Sequence, residues 1–560
     1  MIKEFLKKSQ ILKNLYRYYT LKSCQPSWKL LLRKDKNFWK SKLIASKNGP
    51  KVLIATSTGA HLPGTILESA IAVALTLRGA DVHILLCDSV LPACLIATVA
   101  SCPNQKQFAY YGPSKDLCIG CFSSAYAMYN SLGIVVHRYS DFLSVEEYQK
   151  ADSISSTTPF NEIEKFTLDK IPIGEHIMAG TLRFFARGTL EGEYYAKDIL
   201  RRYFKAALLT AYSTNKLLEK YNFECVVLHH GIYIPQGIIS EVSRKEKVRV
   251  VTWNPAYRKK CFIFSHNDSY HHTMMTEPVS RWENIEWTQE MENELIKYLK
   301  SRWKGTRDWI WFHENPKEDM DVITNELGIN FSKPCIGMLT NVIWDAQLHY
   351  PANAFSNMIE WTLQTINYFI KRPELQLLIR VHPAEIRGTI PSRQRIIDEI
   401  KKLYPILPKN IFIIPPESQI STYAVMLKCD SVIIYGTKTG VELTSIGIPV
   451  IVAGEAWIRN KGVTMDVNSM KDYFNLLDRL PINKRMDDLL IKRARMYAYH
   501  FFFRRMIPLE FMKQNGKNSP YRLHLTTLRD LEISKDKGLD IICDGILKGS
   551  DFIYPYEEYQ

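Results

Sequence analysis

The sequence predicts an α/β protein made of two doubly wound domains, and three observations support that fold class. The 560 residues exceed what a single hydrophobic core organises, so two domains are expected. Hydrophobic residues make up 46% and charged residues 23%, as in an average soluble globular chain. Two separate series of short apolar runs alternate with helical stretches, which is typical of parallel sheets covered by helices.

The first series begins at residue 51. The run KVLIA at 51–55 predicts a strand, 65–77 an apolar helix, and VHILL at 82–86 a second strand. Together they form a βαβ unit with a right-handed crossover. Later strands are expected at 225–228 and 248–252, and helices near 121–132, 189–220 and 235–243. These elements define a Rossmann-like N-terminal domain over 51–280.

The second series follows a helical connector at 281–330. Five strands with four helices between them predict a C-terminal Rossmann-like domain over 331–480. The strands are expected at 335–339, 375–381, 411–414, 431–435 and 449–452, and the helices near 355–371, 391–403, 420–428 and 440–446. A helical tail is expected over 481–560.

Most of the net charge lies in the first 50 residues. They hold 13 Lys and Arg against Glu4 and Asp35, whereas the whole chain carries only +15. This distribution excludes a uniformly basic nucleic-acid-binding protein, and no nucleic-acid partner is expected. Residues 1–50 predict a basic amphipathic arm on an anionic membrane surface, an interpretation that Trp28, Phe38 and Trp39 favour. The alternative is a helix packed on its own protein with a solvated basic face.

The sequence offers no window of about 18 uninterrupted apolar residues, the length that spans a bilayer. The N-terminus also lacks the apolar region and cleavage site of a signal peptide. We therefore expect a cytoplasmic protein, peripheral on the inner face of the cytoplasmic membrane.

Polar residues follow the strands of the second series, where parallel sheets bind their ligands. Pro383 ends one strand and leaves His382 at the lip of the sheet, while the turn YGTKTG at 435–440 offers hydroxyls and backbone N–H groups to a phosphate. The alternatives are a strand-ending turn and simple helix capping. The candidate binding residues are Asn341, Asp345, Gln347, Arg380, His382, Glu385, Thr437, Lys438, Thr439, Gly440, Glu442, Glu455, Arg459 and Lys461.

These motifs resemble the capsule polysaccharide biosynthesis proteins related to bacterial Kdo transferases, over roughly residues 335–470. The matching segments are WDAQ at 344–347, RVHPAE at 380–385, YGTKTGVEL at 435–443, GIPVIVAGEAW at 447–457 and KGVT at 461–464. The turn at 341–347 departs from the family's pattern of a Gln followed by paired acids and Ser, which leaves the donor and the role of Asp345 open.

The resemblance implies a GT-B fold, in which two Rossmann-like domains face a cleft, and transfer of a sugar from a nucleotide donor such as CMP-Kdo. It places Asp345 near the reacting carbon and His382 with the Thr437/Thr439 turn on the donor phosphate. Glu442, Glu455 and Arg459 would contact the nucleotide sugar. The acceptor would be a lipid-linked or oligosaccharide chain, and no cofactor would be required for catalysis.

The first domain adds two candidate sites. One is a series of four cysteines that ends in a C-x2-C pair: Cys94, Cys102, Cys118 and Cys121. Their four thiolates could hold a structural Zn²⁺ or an iron–sulfur cluster, and the alternative is a set of buried reduced cysteines. His61 follows the first strand and is a candidate base for the acceptor, or else a turn histidine. His229 follows a later strand and is a further candidate.

We therefore expect a glycosyltransferase that builds a bacterial capsule or surface polysaccharide. A nucleotide-sugar 2-epimerase is one alternative, because that fold also has a strand-ending His-Pro and a Gly/Glu turn. A non-catalytic protein that binds polysaccharide or scaffolds its export is the other.

Overall fold

A computed structural model describes residues 18–303, 307–309, 316–482, 484–515 and 519–559. The chain forms two compact units. Unit 1 comprises residues 1–185, 190–270 and 506–554, and unit 2 comprises 186–189, 271–505 and 555–560. The expected connector at 281–330 therefore belongs to unit 2, and the expected tail is divided between both units.

Seventeen strands occur in the described ranges, numbered β1 to β17 along the chain: Lys51–Ser57, Asp81–Leu86, Val135–Arg138, Thr167–Leu168, Ile171–Pro172, Cys225–His229, Arg249–Pro255, Cys261–His266, Cys335–Leu339, Gln376–Arg380, Ile411–Ile414, Ser431–Ile434, Val450–Val452, Met465–Asp466, Ile507–Pro508, Met512–Gln514 and Tyr521–Leu523.

The α-helices of unit 1 that lie wholly within the described ranges are Trp28–Lys34, Lys36–Ala45, Leu62–Leu77, Gln105–Tyr111, Lys115–Ser131, Val145–Thr157, Gly174–Phe185, Ala196–Lys220, Gln236–Lys245 and Lys537–Lys548. Those of unit 2 are Met320–Leu327, Met358–Ile370, Ala384–Arg387, Ile396–Leu403, Thr422–Met426, Thr439–Thr444, Met470–Leu477, Gln289–Trp303 and Asp488–Tyr499. The helix Tyr270–Thr276 lies where the chain passes from unit 1 to unit 2.

The large sheet of unit 1 has the order β15-β8-β7-β6-β1-β2-β3. The strands from β7 to β3 are parallel, and β8 and β15 are added antiparallel at one edge. Its central strands are buried along almost their whole length, as expected for a sheet covered on both faces. The helix Leu62–Leu77 is mostly apolar and is buried on nearly all sides beside this sheet.

The sheet of unit 2 has six parallel strands in the order β11-β10-β9-β12-β13-β14. In chain order this is 3-2-1-4-5-6, the doubly wound arrangement, in which the connections reverse direction between the first and fourth strands. Ligands of such sheets bind beyond the carboxyl ends of the strands at this switch point. In unit 2 it lies between β9 and β12.

The predicted fold class, two Rossmann-like doubly wound domains, is confirmed. The strands predicted from apolar runs are present, whereas β3, β8 and the short edge strands were not predicted. β3 is short and ends in His137 and Arg138, so it leaves a weak apolar signal. The expected helical tail also contains three short strands, β15 to β17.

The basic arm is described only from residue 18 onward, so the amphipathic helix expected near its start lies outside the described residues. The remainder packs on unit 1. Trp28 and Trp39 are 1% and 4% exposed, and the Trp39 indole Nε1 donates to the Leu132 carbonyl at 2.8 Å. The interpretation of these two tryptophans as membrane contacts is therefore wrong, because their rings fill the protein's own core. Among the described residues, no helix is both long and apolar enough to span a bilayer.

Candidate functional site

Three neighbouring strands of unit 2 end at the same edge. Leu339, the last residue of β9, is in register with Arg380 of β10 and with Ile434 of β12. The residues that follow these strands, which the sequence singled out as binding residues, therefore start from one line across the sheet. The switch point between β9 and β12 falls inside this group.

The switch point brings three loops together. A Cβ added to Gly436 would lie 3.7 Å from the Asn341 side-chain Nδ2 and 3.5 Å from the Glu455 carbonyl oxygen. The Asn341 Oδ1 atom is buried and has no hydrogen-bond partner among the described residues. An unpartnered buried acceptor is costly unless a ligand or water donates to it, so Asn341 is the residue of this group most suited to contact a ligand.

Glu455 is held on the same edge by backbone contacts. Its Oε1 accepts from the Ala352 N–H at 2.9 Å, and its own N–H donates to Asn353 Oδ1 at 2.8 Å. The second carboxylate oxygen lies 3.6 Å from His272 Nε2. Glu455 is 8% exposed, so its main role in this structure is to fix the loop 350–355 beside the switch point.

His382 lies next to Asn341 along the edge. Its backbone N–H donates to the Thr340 Oγ1 at 3.2 Å, and its Nδ1 accepts from the Ala384 N–H at 3.1 Å. A ring that accepts at Nδ1 carries its proton at Nε2 when it is neutral. His382 is half-buried at the lip of the sheet, where the sequence placed it.

The turn after β12 is organised by its hydroxyls. Thr437 Oγ1 accepts from the Thr439 N–H at 3.3 Å and donates to Thr439 Oγ1 at 3.2 Å. Gly440 is required by packing, because a Cβ there would lie 2.6 Å from Ile434 Cδ1. The turn is therefore a tightly packed small-residue loop at the switch point.

Lys438 and Glu442 belong to a buried ion network beneath that turn. Glu442 Oε1 lies 2.8 Å from Lys438 Nζ and 3.2 Å from the Arg302 Nε, and the Tyr423 hydroxyl donates to the same carboxylate. Burial alone would raise the pKa of Glu442, but Arg302 and Lys438 lower it to about 2. Glu442 is 2% exposed, so it anchors the turn from below and is not placed to touch a nucleotide sugar as expected.

Three cations that the sequence assigned to the donor are buried instead. Arg380 donates to the Pro415 and Ser418 carbonyls, Arg459 to the Gly454 and Val467 carbonyls, and Lys461 to the Met275 and Glu277 carbonyls. Burial lowers the pKa of Lys461 to about 8. These side chains hold loops of unit 2 in place through backbone carbonyls.

Glu385 is also buried. It is fully covered, its Oε1 accepts from the Ile396 N–H at 3.2 Å, and burial raises its pKa to about 7. Glu385 ties the segment after β10 to the next helix. Because its side chain is covered by protein, the structure does not support the expected contact with substrate.

Asp345 and Gln347 lie on the loop after β9. Asp345 is exposed, and the Gln347 side chain donates to the Asp345 carbonyl at 2.8 Å. Ala346 between them has φ +52°, so the loop turns sharply at this point. The loop is anchored by Trp344, whose Nε1 donates to the Ser392 Oγ at 3.0 Å.

In unit 1 the sheet order places a second switch point between β1 and β6. His61 follows β1 and stacks on His229 at the end of β6, with ring centroids 4.5 Å apart. Burial, and then the charge of Arg183, lowers the pKa of His61 to about 4, so its ring is neutral near pH 7. The sequence identified both histidines, but only the fold shows that they meet.

The four cysteines of the expected metal site are not arranged to bind one. In the parts of the chain that the structure describes, no group of three or more His, Cys, Asp or Glu side chains could hold a metal ion. Cys121 Sγ accepts from the Ala60 N–H at 3.1 Å, and burial raises the pKa values of Cys94 and Cys121. All four cysteines are free thiols and half-buried, which is closer to the reduced cysteines weighed as the alternative from the sequence.

Sequence reasoning missed Arg302 and Asn353. Arg302 lies on a connector helix, 140 positions from Glu442, and its charge is one of many in that stretch. Asn353 has no motif around it. Their roles arise from contacts distant in sequence, so no local signal marks them.

Comparison with known proteins bears on unit 2. The family model described as "Capsule polysaccharide biosynthesis protein" matches residues 332–492. No curated protein matches the chain.

Among solved structures, KpsC of Thermosulfurimonas dismutans, a β-Kdo 2,4 transferase, is 12% identical with a TM-score of 0.32, over 50% of this chain and 81% of that one. A β-Kdo 2,7 transferase KpsC of the same organism is 12% identical with a TM-score of 0.31, over 57% of this chain and 88% of that one. The UDP-GlcNAc 2-epimerase of Neisseria meningitidis is 12% identical with a TM-score of 0.26, over 80% of this chain and 97% of that one.

The segment that the family model matches contains the six-stranded sheet and every motif quoted for the resemblance.

Proposed function

We propose that this protein is a glycosyltransferase that transfers a sugar from a nucleotide donor to a growing capsule or surface polysaccharide. The observation that carries the proposal is the line of three in-register strand ends within residues 332–492, the segment that the capsule family model matches. It brings the Asn341 amide, the His382 imidazole and the Thr437 turn to the switch point of one sheet.

The chemistry of these groups suits the phosphate and sugar of such a donor. His382 Nε2–H and the backbone N–H groups of the 436–439 turn are donors, and donors near the leaving phosphate stabilise the charge that develops as the glycosidic bond breaks. Asn341 Oδ1 is an acceptor for a ribose or sugar hydroxyl. Asp345, exposed on the adjoining loop, is the carboxylate we assign to the reacting carbon.

The first test is calorimetric titration of the full chain with CMP, UDP, GDP and dTDP. We expect one nucleotide to bind selectively, and selective CMP binding would make CMP-Kdo the first donor to assay. Absence of binding by all four would contradict the proposal. Turnover of a donor sugar without any acceptor would instead indicate an epimerase.

Two variants locate the nucleotide. His382→Asn keeps an acceptor for the Ala384 N–H but removes Nε2, and Thr437→Val removes one hydroxyl at constant shape. Because hydrogen bonds to charged groups contribute about 1.5–3 kcal/mol, each should weaken nucleotide binding about 10- to 150-fold. Thr444→Val is the matched control, since the Thr444 hydroxyl bonds within its own helix to the Gly440 carbonyl. Equal losses in Thr437→Val and Thr444→Val would show a general packing effect instead.

We also propose that the basic segment before residue 18 contacts an anionic membrane surface. Residues 1–17 contain Lys3, Lys7, Lys8, Lys13 and Arg17 against the single acid Glu4, with apolar residues between them. Because residues 28–45 pack on unit 1, the informative deletion ends at residue 17. It should abolish sedimentation with phosphatidylserine vesicles, whereas unchanged sedimentation would contradict this part of the proposal.

A further inference from the structure

Residues 186–189 belong to unit 2, although the residues before and after them in sequence belong to unit 1. Gln394 holds this short segment. Its Oε1 accepts from the Gly188 N–H at 3.0 Å and from the Thr189 N–H at 3.1 Å, and its Nε2 donates to Thr189 Oγ1 at 3.3 Å. Gln394 is 6% exposed, so protein shields these bonds from water. The segment is therefore fixed to the chain that follows β10.

Ala186, the first residue of the segment, has a strained backbone. Its φ is +53°, and its side chain is fully buried. Residues other than glycine are uncommon in this region, and such strain persists where the surrounding structure fixes it, which is frequent at functional sites. Here the Arg393 N–H donates to the Ala186 carbonyl at 2.9 Å. The residue that follows, Arg187, therefore starts from a defined position.

The segment also lies against the loop that carries Asp345. A Cβ added to Gly188 would lie 3.1 Å from Ile343 Cδ1, two positions before Asp345. The same loop is bound to the chain after β10, because Trp344 Nε1 donates to Ser392 Oγ at 3.0 Å. The segment, the loop after β9 and the chain after β10 thus form one connected group beside the strand ends.

This edge of the sheet lacks a cation among the residues named from the sequence. A nucleotide phosphate is negatively charged, but the candidate cations are engaged inside the protein. Backbone carbonyls accept from Arg380, Arg459 and Lys461, and Lys438 pairs with Glu442. A cation for the phosphate therefore has to come from a residue that the sequence reasoning did not select.

Arg187 is a cation of this group and is half-buried. Its Nε donates to the Thr189 carbonyl at 3.3 Å, so the guanidinium is oriented by its own segment. An arginine stays charged at every pH at which proteins remain folded, and its planar fork of N–H groups matches the oxygens of a phosphate. Arg187 thus has the charge and the anchoring that a phosphate-binding residue needs.

We propose that Arg187 binds the phosphate of a nucleotide at the strand-end edge of unit 2. The residue lies outside the segment 332–492 that the capsule family model matches, and none of the motifs quoted for the resemblance contains it. The proposal deepens the proposed function, on which it rests for the nucleotide.

The first test is calorimetric titration of full-length Arg187→Gln with CMP, UDP, GDP and dTDP. The nucleotide that binds the native chain should bind this variant about 10- to 150-fold more weakly, because hydrogen bonds to a charged group are lost. Arg187→Lys keeps the charge without the fork and should recover part of the affinity.

Arg395→Gln is the matched control, because Arg395 is an exposed arginine next to Gln394 and lies 3.9 Å from Glu417. It removes the same charge and should bind the nucleotide as the native chain does. Native affinity in Arg187→Gln, or an equal loss in Arg395→Gln, would overturn this inference and leave the proposed function standing. Absence of binding by the native chain would overturn both.

The second test needs no variant. Phenylglyoxal modifies accessible guanidinium groups, and peptide mass mapping of the full chain reports the rate at each arginine. The bound nucleotide should protect Arg187 and leave the rate at Arg395 unchanged, whereas the corresponding nucleoside, which lacks the phosphate, should protect neither. Equal protection of Arg187 by the nucleoside, no protection by any of the four nucleotides, or no reaction of Arg187 in the free chain would each refute the assignment.

Discussion

Replacement of Glu442 by Gln tests whether the acid beneath the switch-point turn is a buried structural anchor. The side chain is 2% exposed and is bound by Arg302 and Lys438, which would remain as buried cations without their shared anion. Breaking a buried ion pair from one side costs about 3–5 kcal/mol. The depressed pKa gives a similar figure, since a fall from 4.5 to about 2 corresponds to about 3 kcal/mol.

The pH dependence of this loss follows from the direction of the shift. Because the folded-state pKa of Glu442 is depressed, its stabilisation is fully present above about pH 4.5 and is lost as the pH falls toward 2. The advantage of the native chain over Glu442→Gln should shrink by about 0.8 kcal/mol on going from pH 7 to pH 4 and by about 2 kcal/mol at pH 3.

The assay is urea unfolding of both proteins across this pH range, followed by tryptophan fluorescence. Glu374→Gln is the control, because Glu374 pairs with Arg372 on the surface and should change the unfolding free energy little. A difference between native and Glu442→Gln proteins that stays constant from pH 7 to pH 3 would refute the reasoning. A difference near zero at pH 7 would do the same.

Two further predictions concern packing and charge in both units. Lys461 has a folded-state pKa of about 8, below the usual 10.5, so the chain takes up a proton when it unfolds between these pH values. The free energy of unfolding of the native chain, relative to that of Lys461→Met, should therefore rise as the pH increases from 8 to 10.5. Unfolding measured at each pH checks this. Gly440→Ala should lower the free energy of unfolding by about 1–3 kcal/mol, because the added Cβ overpacks against Ile434. Gly120 lies on a helix, and a Cβ there would meet nothing closer than 3.9 Å, so Gly120→Ala should stabilise the protein by about 0.5–1 kcal/mol. Thermal denaturation of both variants measures the two effects, and a shift of the melting temperature in the same direction for both would contradict this reasoning.

The fold was predictable from the sequence because buried parallel strands are continuous apolar runs, such as IVAG and VIIY, that stand apart from the amphipathic helices around them. The strands that escaped prediction are short or lie at edges. β15, for example, has only two residues and is a strand only because β8 offers it an unpaired edge. No local pattern encodes a partner more than 200 residues away.

The candidate site was predictable in position and less so in detail. The rule that ligands bind at strand ends selected Asn341, His382 and Thr437 correctly as residues of one edge. It also selected Arg380 and Arg459, because a charged residue near a strand end has the same local sequence whether it faces a ligand or caps backbone carbonyls. Burial decides between these roles, and burial depends on the whole fold.

The return of residues 506–554 to unit 1 has a consequence for biosynthesis. This segment adds β15 to the edge of the first sheet, places Asp540 against Arg78 at 2.6 Å and lets Arg249 donate to the Gly545 carbonyl. During translation, the complete sequence of unit 2 up to residue 505 leaves the ribosome before these contacts can form. Unit 1 therefore begins first but is completed only after residues 271–505 of unit 2 have been made. A nascent chain stalled before residue 506 exposes the β8 edge, and expression of residues 18–270 alone should yield an aggregation-prone domain.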